Sequence, residues 1–147
     1  MSNINNNSLN VALVLGACFC FVAAGLHLAC IVFGPSWYLA MGAGEDMARM
    51  AGQGELYPSI VTSVIATILC IWGYIALAGA GAVRRLPFQK LALVMISGVF
   101  LFRGAGAVLI MPMFPGNSLL FWVVSSAICL IIGACFAIGI KQQWRVL

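Results

Sequence analysis

Arg103 and His27 carry the most chemistry in this chain, because each stands inside a long apolar run. An arginine keeps its proton throughout the biological range, so Arg103 can hold a carboxylate or another anion but cannot relay a proton. A charge at the centre of a membrane helix costs about 2.5–3.5 kcal/mol on insertion scales, and some group must receive it. His27 carries an imidazole, a group that can donate, accept or exchange a proton. Glu45, Asp46 and Glu55 are the carboxylate side chains, all between the first two apolar runs, with Trp37 and Tyr38 just before them. The expected site is a polar cluster: Arg103 with one of these carboxylates, Glu45 first among them, His27 as a hydrogen-bonding group, and Trp37 and Tyr38 as its cover.

Each member also has a plainer role. A long arginine stem can lift its guanidinium from this depth to the interface, and a lone histidine can bond to a backbone carbonyl in a helical core. Residues 43–51, AGEDMARMA, place Ala43, Met47, Met50 and Ala51 on one helical face and Glu45, Asp46 and Arg49 on the other, as an interfacial helix would. Glu45 and Arg49 then form an i,i+4 pair worth a few tenths of a kcal/mol. Glu55, three residues before Pro58, complements the positive end of the next helix.

Other chemistry is poorly supported. One histidine cannot make a bis-histidine haem site, and His27 with Cys30 offers two ligands where structural zinc takes four, so neither metal nor cofactor is expected. The six cysteines all lie in apolar runs without a C-x-x-C spacing, which fits small packing side chains rather than a redox pair. No nucleophile, base and orienting group stand together, and GAGAV and GAGED lack the lysine and context of a phosphate loop.

The elements that must position the cluster follow from the prolines and the apolar runs. The chain has 147 residues, of which 64% are hydrophobic and 7% charged; its mean hydropathy is +1.13. Soluble domains carry about 25% charged residues, so most of this exterior must face lipid. Residues 1–10 read as a frayed polar terminus, and the run from Val11 is too long and too poor in preceding cations for a signal peptide. Pro35 closes the first run, Pro58 and Pro87 open the second and third, Pro112 ends the third, and Asn117 and Ser118 cap the fourth. The expected fold is all-α: one domain over residues 1–147, an up-down bundle of four transmembrane helices at about 11–33, 58–79, 88–111 and 118–140, with a short interfacial helix between helices one and two.

The net charge of +4 reflects scarce acids rather than a basic surface, which argues against nucleic acid as a partner. Arg84, Arg85 and Lys90 fall on the second connection and Lys141 and Arg145 on the tail, whereas the acids fall on the first connection. Positive-inside bias then puts both termini in the cytoplasm. By helical rise, Arg103 lies ~21 Å and His27 ~24 Å from the cytoplasmic boundary, at similar heights below the acidic connection. Trp37, Tyr38, Tyr57 and Trp122 mark the outer interface and Trp144 the inner one. Small residues four apart, Gly25 with Ala29, Ala76 with Ala80 and Gly133 with Ala137, fit contacts inside a bundle or a homo-oligomer seam.

The stretches GAGEDMARMAGQGELYP, GAGAVRRLPF and FLFRGAGAVL together resemble an uncharacterised family of small four-helix bacterial inner-membrane proteins. The resemblance spans helices one to three and implies the topology, without an activity. The functional expectation is a small integral membrane protein with an outward-facing polar pocket, a binding, accessory or transport component partnered by the bilayer and by a homo-oligomer or a larger membrane complex. The alternatives are a membrane-embedded enzyme acting on a lipid head group or quinone at the outer interface, with His27 as acid or base, and a structural subunit without a site of its own.

Overall fold

The computed structural model describes residues 9–113 and 116–147, and these are helical with no strand among them. Four segments account for most of the chain: α1 (Val11–Phe33), α4 (Leu56–Gly79), α5 (Gln89–Ala105) and α7 (Leu119–Gln143). Two short helices, α2 (Pro35–Ala40) and α3 (Glu45–Gly52), fill the first connection, and α6 (Ala107–Ile110) with a 3-10 turn (Met111–Met113) follows α5. Three helices, α1, α4 and α7, are long and apolar enough to cross a membrane, and α5 with its continuation makes a fourth if the bent pair is one span. Only 28% of the most apolar stretch of α1, α4 and α7 is buried. Val32, Leu56, Val108 and Leu120 stay more than 70% exposed, which an apolar solvent accommodates and water does not.

The ends of α1 fall where the prolines and apolar run place them. Asn10 caps it by accepting from the Leu13 N–H at 2.9 Å, and it is itself buried. Its side-chain amide donates to Gln142 Oε1 at 2.7 Å and its backbone N–H to Ala80 O at 3.1 Å. The frayed-terminus reading therefore fails at Asn10, which ties the start of α1 to the ends of α4 and α7; residues 1–8 lie outside the described residues. Asn10→Ala should cost about 1 kcal/mol, the usual loss for a helix cap, measured by SDS-induced unfolding in mixed micelles, with backbone exchange rising first at Val11 to Leu13.

The third run departs most from expectation. It does not continue as one helix from 88 to 111: α5 stops at Ala105, Gly106 adopts φ −84° and ψ 9°, and the chain turns by 67°. Gly104, Ala105 and Gly106 offer a single methyl group between them to support the i,i+4 face, and Pro112 lacks the N–H that would bond the carbonyl of Val108. Phe88, in the left-handed region at φ 56°, precedes α5. Pro58 is the third residue of α4 rather than its first, a tolerated place because the first-turn N–H groups have no helical partner. Helix α7 runs past Ile140 to Gln143, since Lys141 and the two glutamines are good helix formers and the lysine suits a helix C-terminus.

The core lies where α1 meets α4 and α7 and where α5 meets α7. Leu13, Cys20, Leu93, Ile132 and Phe136 are almost fully buried. Phe100 stands 5.4 Å from Trp72 and 6.1 Å from Phe136 between ring centroids. Close approach rests on glycines: a Cβ on Gly104 would lie 2.6 Å from Leu130 Cγ, and one on Gly133 2.7 Å from Leu101 Cγ. Of the small-residue pairs, Ala76 and Ala80 are buried, whereas Gly25 meets nothing within 4 Å. The first connection holds two short helices instead of one, because Gly34 (φ 76°) turns the chain and Pro35 starts a new helix. Cys30, Tyr38 and Ala48 form a small separate core there, with Met41, Met47 and Ala51 packed on it.

Candidate functional site

A cavity of about 630 Å³ brings His27 of α1 and Arg103 of α5 to one wall-sharing space, closed by Met41 from the α2–α3 turn and by Phe121, Ser125 and Ile128 of α7. Its size falls within the ~300–1,000 Å³ of small-molecule sites, and its lining is mostly hydrocarbon with a few polar groups. Local backbone explains each position. Arg103 occupies the last turn of α5, where unsatisfied carbonyls carry partial negative charge and favour a cation. The break at Gly106 thus gives the arginine a helix C-terminus in place of a mid-helix position.

The guanidinium is held without a carboxylate. Arg103 Nη2 donates to Ser125 Oγ at 3.4 Å, and its Cζ lies 5.1 Å from the centroid of the Trp122 ring, within cation–π range. Nη1 is buried and has no hydrogen-bond partner among the described residues. The Ser125 hydroxyl donates in turn to Trp122 O at 3.3 Å, so it is oriented to accept from the arginine. His27 Nδ1 lies 2.7 Å from Ala23 O. A carbonyl only accepts, so Nδ1 carries a proton.

The other expected members stand elsewhere. Glu45 begins α3 and lies against Gly116, with 3.7 Å between its Oε1 and a Cβ built there. Asp46, not Glu45, takes Arg49: the pair is 3.0 Å apart, with side chains 87% and 60% exposed. Because Asp46 precedes Arg49 by three residues near the end of a short helix, it reaches the guanidinium where Glu45 does not. Glu55 is the exposed N-cap position of α4 and makes no side-chain cap bond. None of the three lines the cavity. Trp37 stacks on Phe33 with centroids 4.7 Å apart, and the buried Tyr38 hydroxyl accepts from Thr62 Oγ1 at 3.3 Å. Both brace the first connection instead of covering Arg103.

Ser125, and the contact of Trp122 with Arg103, have no place in the expected cluster. The two residues sit three apart on α7, with Cys129 a further turn along; Ser125 and Cys129 line the cavity, and Trp122 stacks behind the guanidinium. That i, i+3, i+7 stripe of less apolar groups is the available signal that this face turns toward the arginine. Asn117 closes the same end by donating from Nδ2 to Gly42 O at 3.0 Å, and Ser118 caps α7 by accepting from the Phe121 N–H at 3.1 Å. No three His, Cys, Asp or Glu side chains converge in a metal-binding group among the described residues.

Comparison with protein-family models, with curated proteins and with solved structures returns no match.

Proposed function

We propose that this chain is a single-domain, four-helix bacterial inner-membrane protein, with α1, α4, the bent α5–α6 pair and α7 crossing up and down and both termini cytoplasmic, and that its outward-side pocket binds an acidic amphiphile. The start of α1 touching the ends of α4 and α7 supports the alternation. The placement of Arg84, Arg85, Lys90, Lys141 and Arg145 at that same end supports the orientation. The pocket serves a binding, accessory or transport role. A helix broken beside a charged residue at membrane depth is common where a pathway or substrate site is built from discontinuous helices.

One observation carries the binding reading: Arg103 Nη1 is buried beside an apolar cavity with a donor direction unused and no carboxylate within ion-pairing reach among the described residues. A carboxylate or phosphate would complete the fork, and a hydrocarbon tail would fill the remainder beside His27. Dodecanoate should raise the unfolding temperature of the detergent-solubilised protein at concentrations where dodecanol does not, and Arg103→Gln should abolish the difference. Equal shifts with both probes, or a shift that survives Arg103→Gln, would exclude the arginine as the holder of the anion.

A further inference from the structure

A second recess lies at the opposite end of the molecule, on the outer face of the seam between α5 and α7. It is an open groove of about 640 Å³ lined by Val94, Gly98, Leu101, Ala137 and Ile140, with Lys141 and Trp144 contributed by the last turn of α7 and its cap. The one hydroxyl in the groove is satisfied, since Ser97 Oγ donates to Gly133 O at 3.0 Å. A Cβ on Gly98 would meet nothing within 4 Å. The groove body can therefore take hydrocarbon and nothing polar. Gly98 is nine residues into α5, or ~14 Å along its axis, about half of a ~30 Å hydrocarbon core and so within one leaflet.

The end at Lys141 and Trp144 has the opposite character. Five of the seven cationic side chains, Arg84, Arg85, Lys90, Lys141 and Arg145, fall on the segments at this end, and the chain's aspartate and glutamate side chains are all on the far connection. Lys90 Nζ lies 4.2 Å from the centroid of the Trp144 ring, and Arg85 donates to the carbonyl of Val146. These contacts hold two cations and an interfacial tryptophan together where α5 begins and α7 ends. We infer that this groove is a binding site for an anionic diacyl phospholipid, with an acyl chain along Gly98 and Ala137 and the phosphate beside Lys141 and Lys90. Charge complementarity selects the occupant: basic recesses between membrane helices recognise acidic head groups, each near-surface lysine or arginine contributing about fivefold in affinity. The site is separate from the Arg103 cavity and does not depend on the function proposed for it.

Native mass spectrometry of the full chain, titrated with palmitoyl-oleoyl phosphatidylglycerol or phosphatidylcholine, tests the assignment. The phosphatidylglycerol adduct should form at least fivefold more tightly. Lys141→Gln should weaken it by about fivefold, and Gly98→Leu, which fills open space in a helix that tolerates leucine better than glycine, should weaken both lipids by occupying the groove. Arg103→Gln should leave it unchanged. Equal affinity for the two lipids, or unchanged phosphatidylglycerol binding in both Lys141→Gln and Gly98→Leu, would overturn the site. So would a dimer that Gly98→Leu converts to monomer without loss of lipid, because the occupant would then be a second copy of the chain.

Discussion

Arg103→Met should make the ligand-free protein more stable while removing its affinity for acidic amphiphiles. The arginine is held at the end of α5 by a long hydrogen bond to Ser125 and by the face of Trp122, contacts that offset only part of the cost of burying a charge. Nη1 stays without a partner among the described residues. Replacing a partly buried, poorly compensated charge with a packed apolar side chain is often neutral or stabilising by about 1–4 kcal/mol. A gain near the lower end, about 1 kcal/mol, is expected here because the helix C-terminus already favours a cation. SDS-induced unfolding of the two proteins without added ligand checks the sign. Destabilisation by more than about 1 kcal/mol would instead make the guanidinium a structural fastener, as removal of one member of a buried pair does.

The second large effect is expected at the α5–α7 seam. Gly133→Val should destabilise by about 1–3 kcal/mol, the usual cost of forcing methyl groups into a packed interface. The new Cβ would stand 2.7 Å from Leu101 Cγ and 3.1 Å from the Leu101 backbone nitrogen. A side chain can rotate away, but a backbone nitrogen in mid-helix cannot, so α5 must move off α7. The Ser97 bond to Gly133 O and the Arg103 bond to Ser125 span the same seam, so dodecanoate binding should weaken with stability. Gly25→Val is the matched control: nothing lies within 4 Å of its Cβ, and a change within about 0.5 kcal/mol is expected. Equal losses at both glycines, read by the same SDS titration, would show that the seam is not where the glycines matter.

The long apolar helices were legible because apolar runs and prolines are local signals: the run from Val11 to Phe33 has the observed ends of α1. The break after Arg103 was not, because the stretch from Leu86 to Pro112 keeps its apolar composition through the turn, and composition says nothing about φ and ψ at Gly106. Asn10 was lost for a related reason. It stands in a polar run whose other members give no hint that one of them is buried, and its partners Ala80 and Gln142 are remote in sequence.

The site was half legible. Equal depth, counted from helical rise, brings His27 and Arg103 to one cavity. Counting rise gives height and not azimuth, so it could not tell that the first connection folds into two helices held by Tyr38, Thr62 and Cys30. Glu45 also sits in the first turn of α3, where the positive helix end competes for its charge. The groups that do meet the guanidinium, Ser125 and Trp122, are ordinary residues of membrane helices. Their three-residue spacing becomes informative only once α7 is placed against α5.

The most direct test is native mass spectrometry of the protein released gently from its own membrane, alongside Arg103→Met and Lys141→Gln prepared identically. Wild-type protein and Lys141→Gln should each retain an acidic, hydrocarbon-tailed molecule that Arg103→Met has lost. Retention of the same bound mass by Arg103→Met, or a wild-type protein carrying only neutral or zwitterionic molecules, would contradict anion capture by the buried guanidinium.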